Sequence, residues 1–367
     1  MRSYAVKNWS DFEKLEVEWN ELLVNSDSDS IFLTWEWISS WVEIHRAAKP
    51  YIIVIRDSAD KLVGLAPLYH CRMRAFKLAP LKCLCILGDI ESGSDYLDFI
   101  ISKKESGKIA STIMRHLKQN RNDWDLIWMP KMSGWNNSVQ MIADACIDNN
   151  INYVKRQTEF SSIPLDCSFD DYLLKFSRKH REQIRRQKRK VFKNDVTIYH
   201  CESADEVSSY QDDLFRLNHK RWMLLGDPGT FVRKPNEKKF YQSFVLKAFK
   251  KGWLQYYRLS DSGEVKAIQL GYLYNNIFHQ MQEGFDPDYI NGVGNVLRLN
   301  VMQKCFNNNT SEYDFLGGHS EHKRRWGAII RKGYDLLIAN NKLLPELLVK
   351  HRVWPSGRYI TTTTKFS

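Results

Sequence analysis

The fold is decided by one stretch of sequence, residues 277–327, which reads IFHQMQEGFDPDYINGVGNVLRLNVMQKCFNNNTSEYDFLGGHSEHKRRWG. It opens with Ile277–Phe285, a half-apolar run typical of a buried strand, and Pro287 ends that run because proline has no N–H to donate to a ladder. Residues 313–316 read as a second short strand. Between them, apolar residues recur three and four positions apart and predict one buried helical face; they are Val296, Leu297, Val301, Met302, Cys305 and Phe306. The stretch therefore predicts a strand, a helix and a parallel strand joined by a right-handed crossover.

The turn at residues 291–295, NGVGN, is the first candidate for a binding site. Its two glycines let a ligand approach the backbone closely, and the N–H groups of the following helical turn, at the positive end of the helix dipole, suit a pyrophosphate. Gly-x-Gly by itself is also an ordinary turn, so both interpretations stay open. If the turn binds a pyrophosphate, the cofactor is held by Gly292, Val293, Gly294 and Asn295, at the sheet edge where ligands of open α/β folds bind.

Motifs spread over most of the chain are similar to those of one family. In the second half they are Phe285-Asp286-Pro287, Gly294-Asn295-Val296-Leu297, Asp314-Phe315-Leu316, the run from Gly318 to Lys323-Arg324-Arg325-Trp326, His219-Lys220-Arg221-Trp222, Gly226, Gly229 and Phe231. In the first half they are Trp35-Glu36-Trp37 and Gly64-Leu65-Ala66-Pro67-Leu68. The set resembles the GNAT-type acyltransferase family often labelled CelD-like, which is related to the Fem aminoacyl ligases.

Three positions depart from the pattern of that family. Tyr289 stands where the general GNAT motif has Gln or Arg, and Ser320 and His322 stand where the CelD-like family has an acid and a tyrosine. With these departures, the resemblance implies an α/β fold of two tandem GNAT-like (acyl-CoA N-acyltransferase) domains, with mixed central sheets flanked by helices. It also implies acyl-CoA, typically acetyl-CoA, as the co-substrate, and no metal.

An internal repeat points to two related halves. Residues 96–101 predict a strand, 107–117 a helix and 125–129 a second strand. A shift of 187 to 189 positions overlays this order on the deciding stretch, with Gly107 on Gly294. The sequence therefore predicts a divergent duplication.

The halves are expected to differ in role. Residues 103–107, KKESG, replace the Gly-x-Gly turn in the first half, so we expect only the second half to hold the cofactor and the first to shape the acceptor side. The expected organisation is a degenerate GNAT-like half at 1–163, an acyltransferase half at 164–340, and a C-terminal helix and tail at 341–367.

Composition restricts the class of protein. A chain of 367 residues with 43% hydrophobic and 26% charged residues is globular and has room for two domains. Its net charge of +11 predicts attraction to anions, which a nucleotide cofactor, an anionic glycan or lipid, or RNA would each satisfy. The sequence has neither an apolar N-terminal signal region nor an apolar run long enough to span a bilayer, so we expect a cytoplasmic protein.

The cysteines fit reduced thiols better than a disulfide framework, because there are seven of them and they are scattered. His70-Cys71 together with Cys83 and Cys85 forms the nearest approach to a metal motif. The spacing is not that of a zinc site, so no metal is predicted.

The densest charge run lies at residues 178–193, where nine of sixteen residues are Lys or Arg and Glu182 is the single acid. Three interpretations stay open for this predicted helix: a surface that faces an anionic acceptor or the phosphates of the cofactor, a plain solvated face, and an RNA-binding surface. Arg178 and Arg181, at its start, are candidate substrate-binding residues.

Acyl transfer from a thioester to an amine needs a bound carrier, donors for the developing oxyanion, and a group that accepts the proton of the amine. Candidate bases are Glu283, near the end of a predicted strand, and His219, because imidazole is in general a suitable base near neutral pH. Asp314 is a candidate for orienting a base or the amine. The remaining candidates for substrate binding are Lys323, Arg325 and Trp222.

The sequence thus predicts an N-acyltransferase that uses acyl-CoA to acylate an amino group of a sugar or of another polar precursor of a surface polysaccharide. The alternatives are a Fem-like aminoacyltransferase that draws on aminoacyl-tRNA, for which the basic helix has a direct use, and an RNA-binding protein without catalysis. CoA binding favours the first, and a steep salt-dependent affinity for tRNA favours the others.

Overall fold

The structure is a computed structural model that describes residues 1–75, 79–354 and 356–360. The chain divides into two compact units. The first comprises residues 1–159 and the segment from residue 331 onward, and the second comprises residues 160–330. The expected tail at 361–364 lies outside the described residues.

The strands are β1 (Arg2–Val6), β2 (Lys49–Arg56), β3 (Leu62–Ala75), β4 (Ala79–Ile86), β5 (Ile100–Ile101), β6 (Leu126–Ser133), β7 (Asn152–Pro164), β8 (Val196–His200), β9 (Leu254–Asp261), β10 (Glu264–Tyr274), β11 (Ile277–Phe285), β12 (Glu312–Gly317), β13 (Ile329–Ala339) and β14 (Ser356–Ile360).

The helices are α1 (Trp9–Glu13), α2 (Glu16–Val24), α3 (Trp35–Ile44), α4 (Ser106–Gln119), α5 (Ser138–Asp148), α6 (Phe169–Leu174), α7 (Arg178–Val191), α8 (Val207–Met223), α9 (Thr230–Arg233), α10 (Pro235–Lys250), α11 (Val293–Asn307), α12 (Glu321–Arg325) and α13 (Leu343–Lys350).

The sheet of the second unit confirms the strand, helix and strand predicted from the deciding stretch. Its order is β7, β12, β11, β10, β9 and β8, with β7 contributing its last residues. β11 and β12 are parallel and α11 connects them, whereas the other neighbours are antiparallel. The predicted apolar face of α11 is also confirmed, because Val296, Leu297, Val301 and Met302 are buried in the core of this unit.

β11 and β12 pair only over their first residues. The ladder ends at the pair His279 and Asp314. One step later β11 contains a bulge, because Gly271 of β10 opposes Gln280 while Leu270 opposes Gln282, which leaves Met281 as the extra residue. The remaining residues of both strands, 280–285 and 315–317, form no ladder with each other, and we call the gap between them the strand opening.

The first unit repeats this order of elements. β2 and β3 form an antiparallel hairpin, β3 pairs with β4, and β4 is parallel to β6, with α4 between them in the chain. The neighbour of β6 on its other side is β13, which pairs with it in antiparallel register. The strand that completes this sheet therefore comes from residues 329–339, within the range where we expected the second half.

One predicted strand of the first unit is largely wrong. Residues 96–101 were expected to form a strand, yet only Ile100–Ile101 does so. Tyr96 has a left-handed backbone (φ 55°), which interrupts an extended run. The partner that lies parallel to β6 is instead β4, whose Cys83 opposes Leu126.

Over residues 1–75, 79–354 and 356–360, no helix combines the length and the apolarity that crossing a bilayer requires. Within the same ranges, no group of His, Cys, Asp and Glu side chains has the geometry to hold a metal ion.

Candidate functional site

The start of α11 offers main-chain donors at the strand opening. Gly292 is the N-cap with a left-handed backbone (φ 94°), which glycine adopts without strain. The N–H of Val293 donates to the carbonyl of Ile290 at 3.1 Å. Among the described residues, no acceptor faces the N–H groups of Gly294 and Asn295. Two amides of the first helical turn are therefore available to an anion.

The two glycines of the turn also allow close packing by neighbouring side chains. A Cβ at Gly292 would overlap the amide of Gln187, which belongs to α7. A Cβ at Gly294 would lie 3.2 Å from the ring of Phe285. Protein side chains thus lie against one side of each glycine. The two unpaired N–H groups belong to Gly294 itself and to the next residue, Asn295.

Glu283 lies in an ion pair that the sequence did not reveal. Its carboxylate accepts two hydrogen bonds from the guanidinium of Arg298, one of them at 2.9 Å from Nε. Arg298 is only 3% exposed, and its guanidinium also lies 5.3 Å from the ring of Trp326. A buried guanidinium requires such a partner, and both carboxylate oxygens of Glu283 are engaged by it. The role of Glu283 as a base stays a prediction, and its observed contact is with Arg298.

His322 extends this ion pair to α12. Its Nε2 lies 2.7 Å from the guanidinium nitrogen Nη1 of Arg298. Desolvation and the positive charge of Arg298 lower the pKa of His322 to about 4, so the ring is neutral at physiological pH. Glu283, Arg298 and His322 thus form a continuous chain from β11 through α11 to α12.

His219 is held by a loop. Its Nδ1 lies 2.9 Å from the carbonyl oxygen of Pro228, which only accepts, so Nδ1 carries the proton and the lone pair lies on Nε2. α8 packs directly on β11, since a Cβ at Gly284 would lie 2.9 Å from the backbone nitrogen of Asn218. The side chain of Asn218 donates to the carbonyl of Glu283 at 3.4 Å. His219 therefore lies beside the contact of α8 with the end of β11, without touching the carboxylate of Glu283.

Asp314 is buried at the last paired position of β12. It is 2% exposed, and one carboxylate oxygen lies 3.1 Å from Nδ1 of His279 while the other accepts from the N–H of Leu316 at 2.7 Å. Leu316 has a left-handed backbone (φ 63°). The observed contacts of Asp314 therefore hold the end of the ladder and the bend in β12.

Lys323 clamps the turn after β12. Its ammonium donates to the carbonyls of Leu316 at 3.2 Å, Gly317 at 2.5 Å and Gly318 at 3.1 Å. These contacts satisfy all three ammonium hydrogens. The anion contact predicted for Lys323 stays a prediction, and the ammonium fixes α12 to the end of β12.

The remaining predicted substrate residues lie apart from this cluster or in contact with other groups. Arg325 is 68% exposed and pairs with Glu321, and Arg178 is 88% exposed and pairs with Glu182. Arg181 donates to the carbonyls of Leu174 and Phe176 and so anchors the start of α7. Trp222 is half-buried against Gly229 in the loop that also holds His219.

Arg298 and Gln187 were missed in the sequence. Arg298 directly follows two apolar positions of the predicted helix face, Val296 and Leu297. The signal was Glu283, a carboxylate on a half-buried strand, which requires a cation close by. Gln187 lies within the charge run, where its uncharged side chain marks the buried face of α7.

The outer face of α7 is strongly basic. The helix packs through Ile184, Gln187 and Val191, which are buried. Within the described ranges, its other cations take part in no ion pair and are exposed; they are Arg185, Arg186, Lys188, Arg189 and Lys190. Because Gln187 contacts Gly292, these charges flank the start of α11.

Comparisons with known proteins bear on the fold and on one domain of the chain. The family model described as an acetyltransferase (GNAT) domain matches residues 178–324. The fold is similar to the crystal structure of FemX, with a TM-score of 0.61 and 9% identity over 91% of this chain and 97% of that one. It is also similar to a conserved protein of unknown function from Bacteroides thetaiotaomicron (TM-score 0.56, 11% identity, 88% and 97% covered).

A third similar structure is L-PGS from Bacillus licheniformis, with a TM-score of 0.53 and 12% identity over 86% of this chain and 96% of that one. No curated protein sequence matches the chain. At these identities, the structural likenesses show the fold alone. Together with the domain match they support a GNAT-like family, and the predicted fold class, α/β with mixed sheets flanked by helices, is confirmed.

Proposed function

We propose that the protein is a cytoplasmic N-acyltransferase of the CelD-like kind. It transfers an acyl group, typically acetyl, from acyl-CoA to an amino group of a sugar or another polar precursor of a cell-envelope polysaccharide. The observation that carries this proposal is the pair of unpaired amides, Gly294 and Asn295, at the strand opening. They lie within the segment that the GNAT model matches.

In this proposal the pyrophosphate of CoA binds the first turn of α11. Unpaired N–H groups and the helix dipole favour an anion there, worth about 0.3–1 kcal/mol from the dipole alone. The exposed cations of α7 add long-range attraction for the remaining phosphate of CoA. The carrier arm and the thioester then occupy the strand opening, where β11 has backbone that β12 does not pair.

The chemistry needs no covalent intermediate with the protein. The amine attacks the thioester carbon, and main-chain donors near the bulge at Met281 bind the carbonyl oxygen. His219 accepts the proton of the amine at Nε2, since its Nδ1 is already donating to Pro228. Glu283 holds Arg298, and Asp314 fixes the end of the ladder beside the opening.

A thermal-shift experiment with CoA tests the donor site. CoA is expected to raise the Tm of the wild-type protein, and Gly294→Trp is expected to abolish that rise because the indole covers the amides. Gly107→Trp is the matched control: it changes the glycine at the corresponding position of the first unit, where a new Cβ meets nothing within 4 Å. An equal response of both variants to CoA contradicts the proposal.

The second candidate function is aminoacyl transfer from aminoacyl-tRNA, as in the Fem ligases that the sequence resembles. The unpaired cations on α7 favour it, because phosphate contacts by Lys and Arg supply most of the affinity for RNA. This candidate predicts tRNA binding that weakens steeply with salt and no effect of CoA on Tm. The same result without any aminoacyl transfer supports an RNA-binding protein instead.

A further inference from the structure

The contact between Arg298 and His322 determines which ring nitrogen of His322 carries a proton. Arginine has N–H donors and no acceptor, so Nε2 of His322 must accept the hydrogen bond of 2.7 Å. A neutral imidazole has one N–H, and that hydrogen is then on Nδ1. No described residue accepts from Nδ1, and His322 is exposed. The Nδ1–H of His322 is therefore a donor that faces solvent and has no partner among the described residues.

His322 is also fixed in position. Arg298 donates two hydrogen bonds to the carboxylate of Glu283, which lies on β11 at the strand opening. α12 is attached to the end of β12 by the three contacts of the Lys323 ammonium, and its N-terminus is capped by Ser320. The ring is thus tied to β11 through Arg298 and Glu283, and to β12 through its own helix, and these are the two strands that border the opening.

We propose that His322 donates its Nδ1 hydrogen to the carbonyl oxygen of the acyl thioester and stabilises the negative charge that forms there. This rests on the proposed acyl transfer. The amine nitrogen forms a bond to the carbonyl carbon, and the π electrons of the C=O bond move to oxygen. When the C–S bond breaks, CoA leaves as the thiolate and the proton of the amine goes to His219. His322 keeps its own proton throughout.

A donor role suits His322 better than a base role. To take up a proton, Nε2 would have to give up the bond from Arg298 and place a second cation beside it, with Lys323 and Arg221 also nearby. Desolvation and these charges lower the pKa of His322, although Glu283 acts in the other direction. A neutral imidazole donor, placed where negative charge develops, contributes stabilisation without a change in its own protonation.

The first test is spectroscopic and needs no substrate. In the full chain with 15N-labelled histidine, NMR is expected to find His322 neutral at about pH 6, with its proton on Nδ1. An unperturbed histidine, with a pKa of about 6.5, is mostly charged at that pH, so the two states are distinguishable. An imidazolium, or a neutral ring with its proton on Nε2, overturns the inference.

The second test is kinetic and uses acetyl-CoA with amino-sugar acceptors. His322→Ala is expected to lower kcat about 10²–10³-fold with little change in KM for acetyl-CoA, which is the loss typical of an oxyanion donor. His322→Asn, whose amide N–H falls near the position of Nδ1, should recover much of the rate. His351→Ala, an exposed histidine on the first unit, should leave the rate unchanged.

The outcomes separate the two claims. If the wild-type protein turns over no acyl-CoA, the proposed function fails, and the inference fails with it. If the wild-type protein is active and His322→Ala retains its kcat, the inference alone fails. Equal losses in the Ala and Asn variants would also overturn it, because a structural role does not depend on an N–H at this position.

Discussion

The starts of α11 and α4 both follow a left-handed N-cap residue, but the charges around them differ. Each helix follows an N-cap in the left-handed region, Gly292 (φ 94°) in the second unit and Glu105 (φ 57°) in the first, and neither cap has a side-chain hydrogen bond. Each helix connects two parallel strands. The corner is therefore a product of the fold, and the residues around it decide what binds there.

Those residues differ in charge. Around the start of α11 are Gln187, the buried Arg298 and the exposed cations of α7. The start of α4 borders a cavity of about 830 Å³ whose lining includes Lys61, Lys103 and Lys104 together with the acids Glu18, Glu21, Asp57, Asp60 and Glu105. Lys61 already pairs with Glu21. Acids beside the positive end of a helix oppose the binding of a phosphate, which supports our proposal that the second unit holds the donor.

The largest expected effect is at the buried ion pair of Arg298 with Glu283 in the second unit. Arg298→Ala leaves Glu283 without its partner in a half-buried place, and the free energy of unfolding is expected to fall by about 3–5 kcal/mol. Urea denaturation measures it. The matched change in the first unit, Arg156→Ala, removes a half-exposed arginine from the buried Asp335, and we expect a smaller loss because Asp335 still accepts a hydrogen bond from the N–H of Lys131. Equal losses would mean that the buried Arg298 contributes no more to stability than the half-exposed Arg156.

The next largest effect is expected from a buried carboxyl group in the first unit. Burial raises the pKa of Asp98 to about 7, whereas the unfolded chain has its usual low value. The folded state then binds one more proton than the unfolded state between these values, so the free energy of unfolding falls as pH rises through that window, by up to about 4 kcal/mol. Asp98→Asn should flatten this dependence. Unfolding at about pH 5 and pH 8 checks it, and an unchanged slope contradicts the assignment to Asp98.

Charge reversal on α7 is expected to have an effect of intermediate size on CoA binding. It tests the difference in charge between the two helix starts. Arg185→Glu with Lys188→Glu is expected to weaken CoA binding about tenfold at low salt and less at high salt, because exposed charges act at long range and are screened. Arg115→Glu with Lys118→Glu on α4 is the control, since both are exposed cations on the corresponding helix. Calorimetric titration measures the affinity of both double variants for CoA. The same loss in each would mean that the effect of α7 comes from the net charge of the protein and not from the position of its cations.

The smallest effect is expected at Arg325. It is 68% exposed and pairs with Glu321 on a short surface helix, so Arg325→Ala should change the free energy of unfolding by less than about 1 kcal/mol. If the stability loss approaches that of Arg298→Ala, the distinction between the buried cluster and its surface neighbours is wrong.

The sequence predicted the parts of the fold that depend on local signals. The strand, turn and helix of the deciding stretch were recognisable because Pro287 and Gly292 mark boundaries and the apolar spacing marks a face. Residues 329–339 fell within the range expected for the second half. Their strand, β13, pairs with β6 some 200 positions earlier, and no local pattern encodes that pairing. Residues 96–101 read as a strand because their apolar content conceals the left-handed backbone at Tyr96.

The contacts of the candidate site residues could not be predicted from the sequence. Glu283, His219, Lys323 and Asp314 were recognised as residues of chemical interest, but each meets partners from other elements. The carbonyls around Lys323 converge because Leu316 and Gly318 bend the chain, and the proton position on His322 depends on Arg298, twenty-four positions away. Such contacts follow from tertiary packing, which spacing in a single sequence does not specify.

The central claim is that the unpaired amides at the start of α11 bind the pyrophosphate of CoA. Amide NMR of the intact protein during titration with CoA tests it most directly. The account predicts large shifts for the N–H groups of Gly294 and Asn295, and none at Gly107 or Lys108 at the start of α4. If CoA leaves Gly294 and Asn295 unmoved, or shifts the amides of α4 instead, the claim is contradicted.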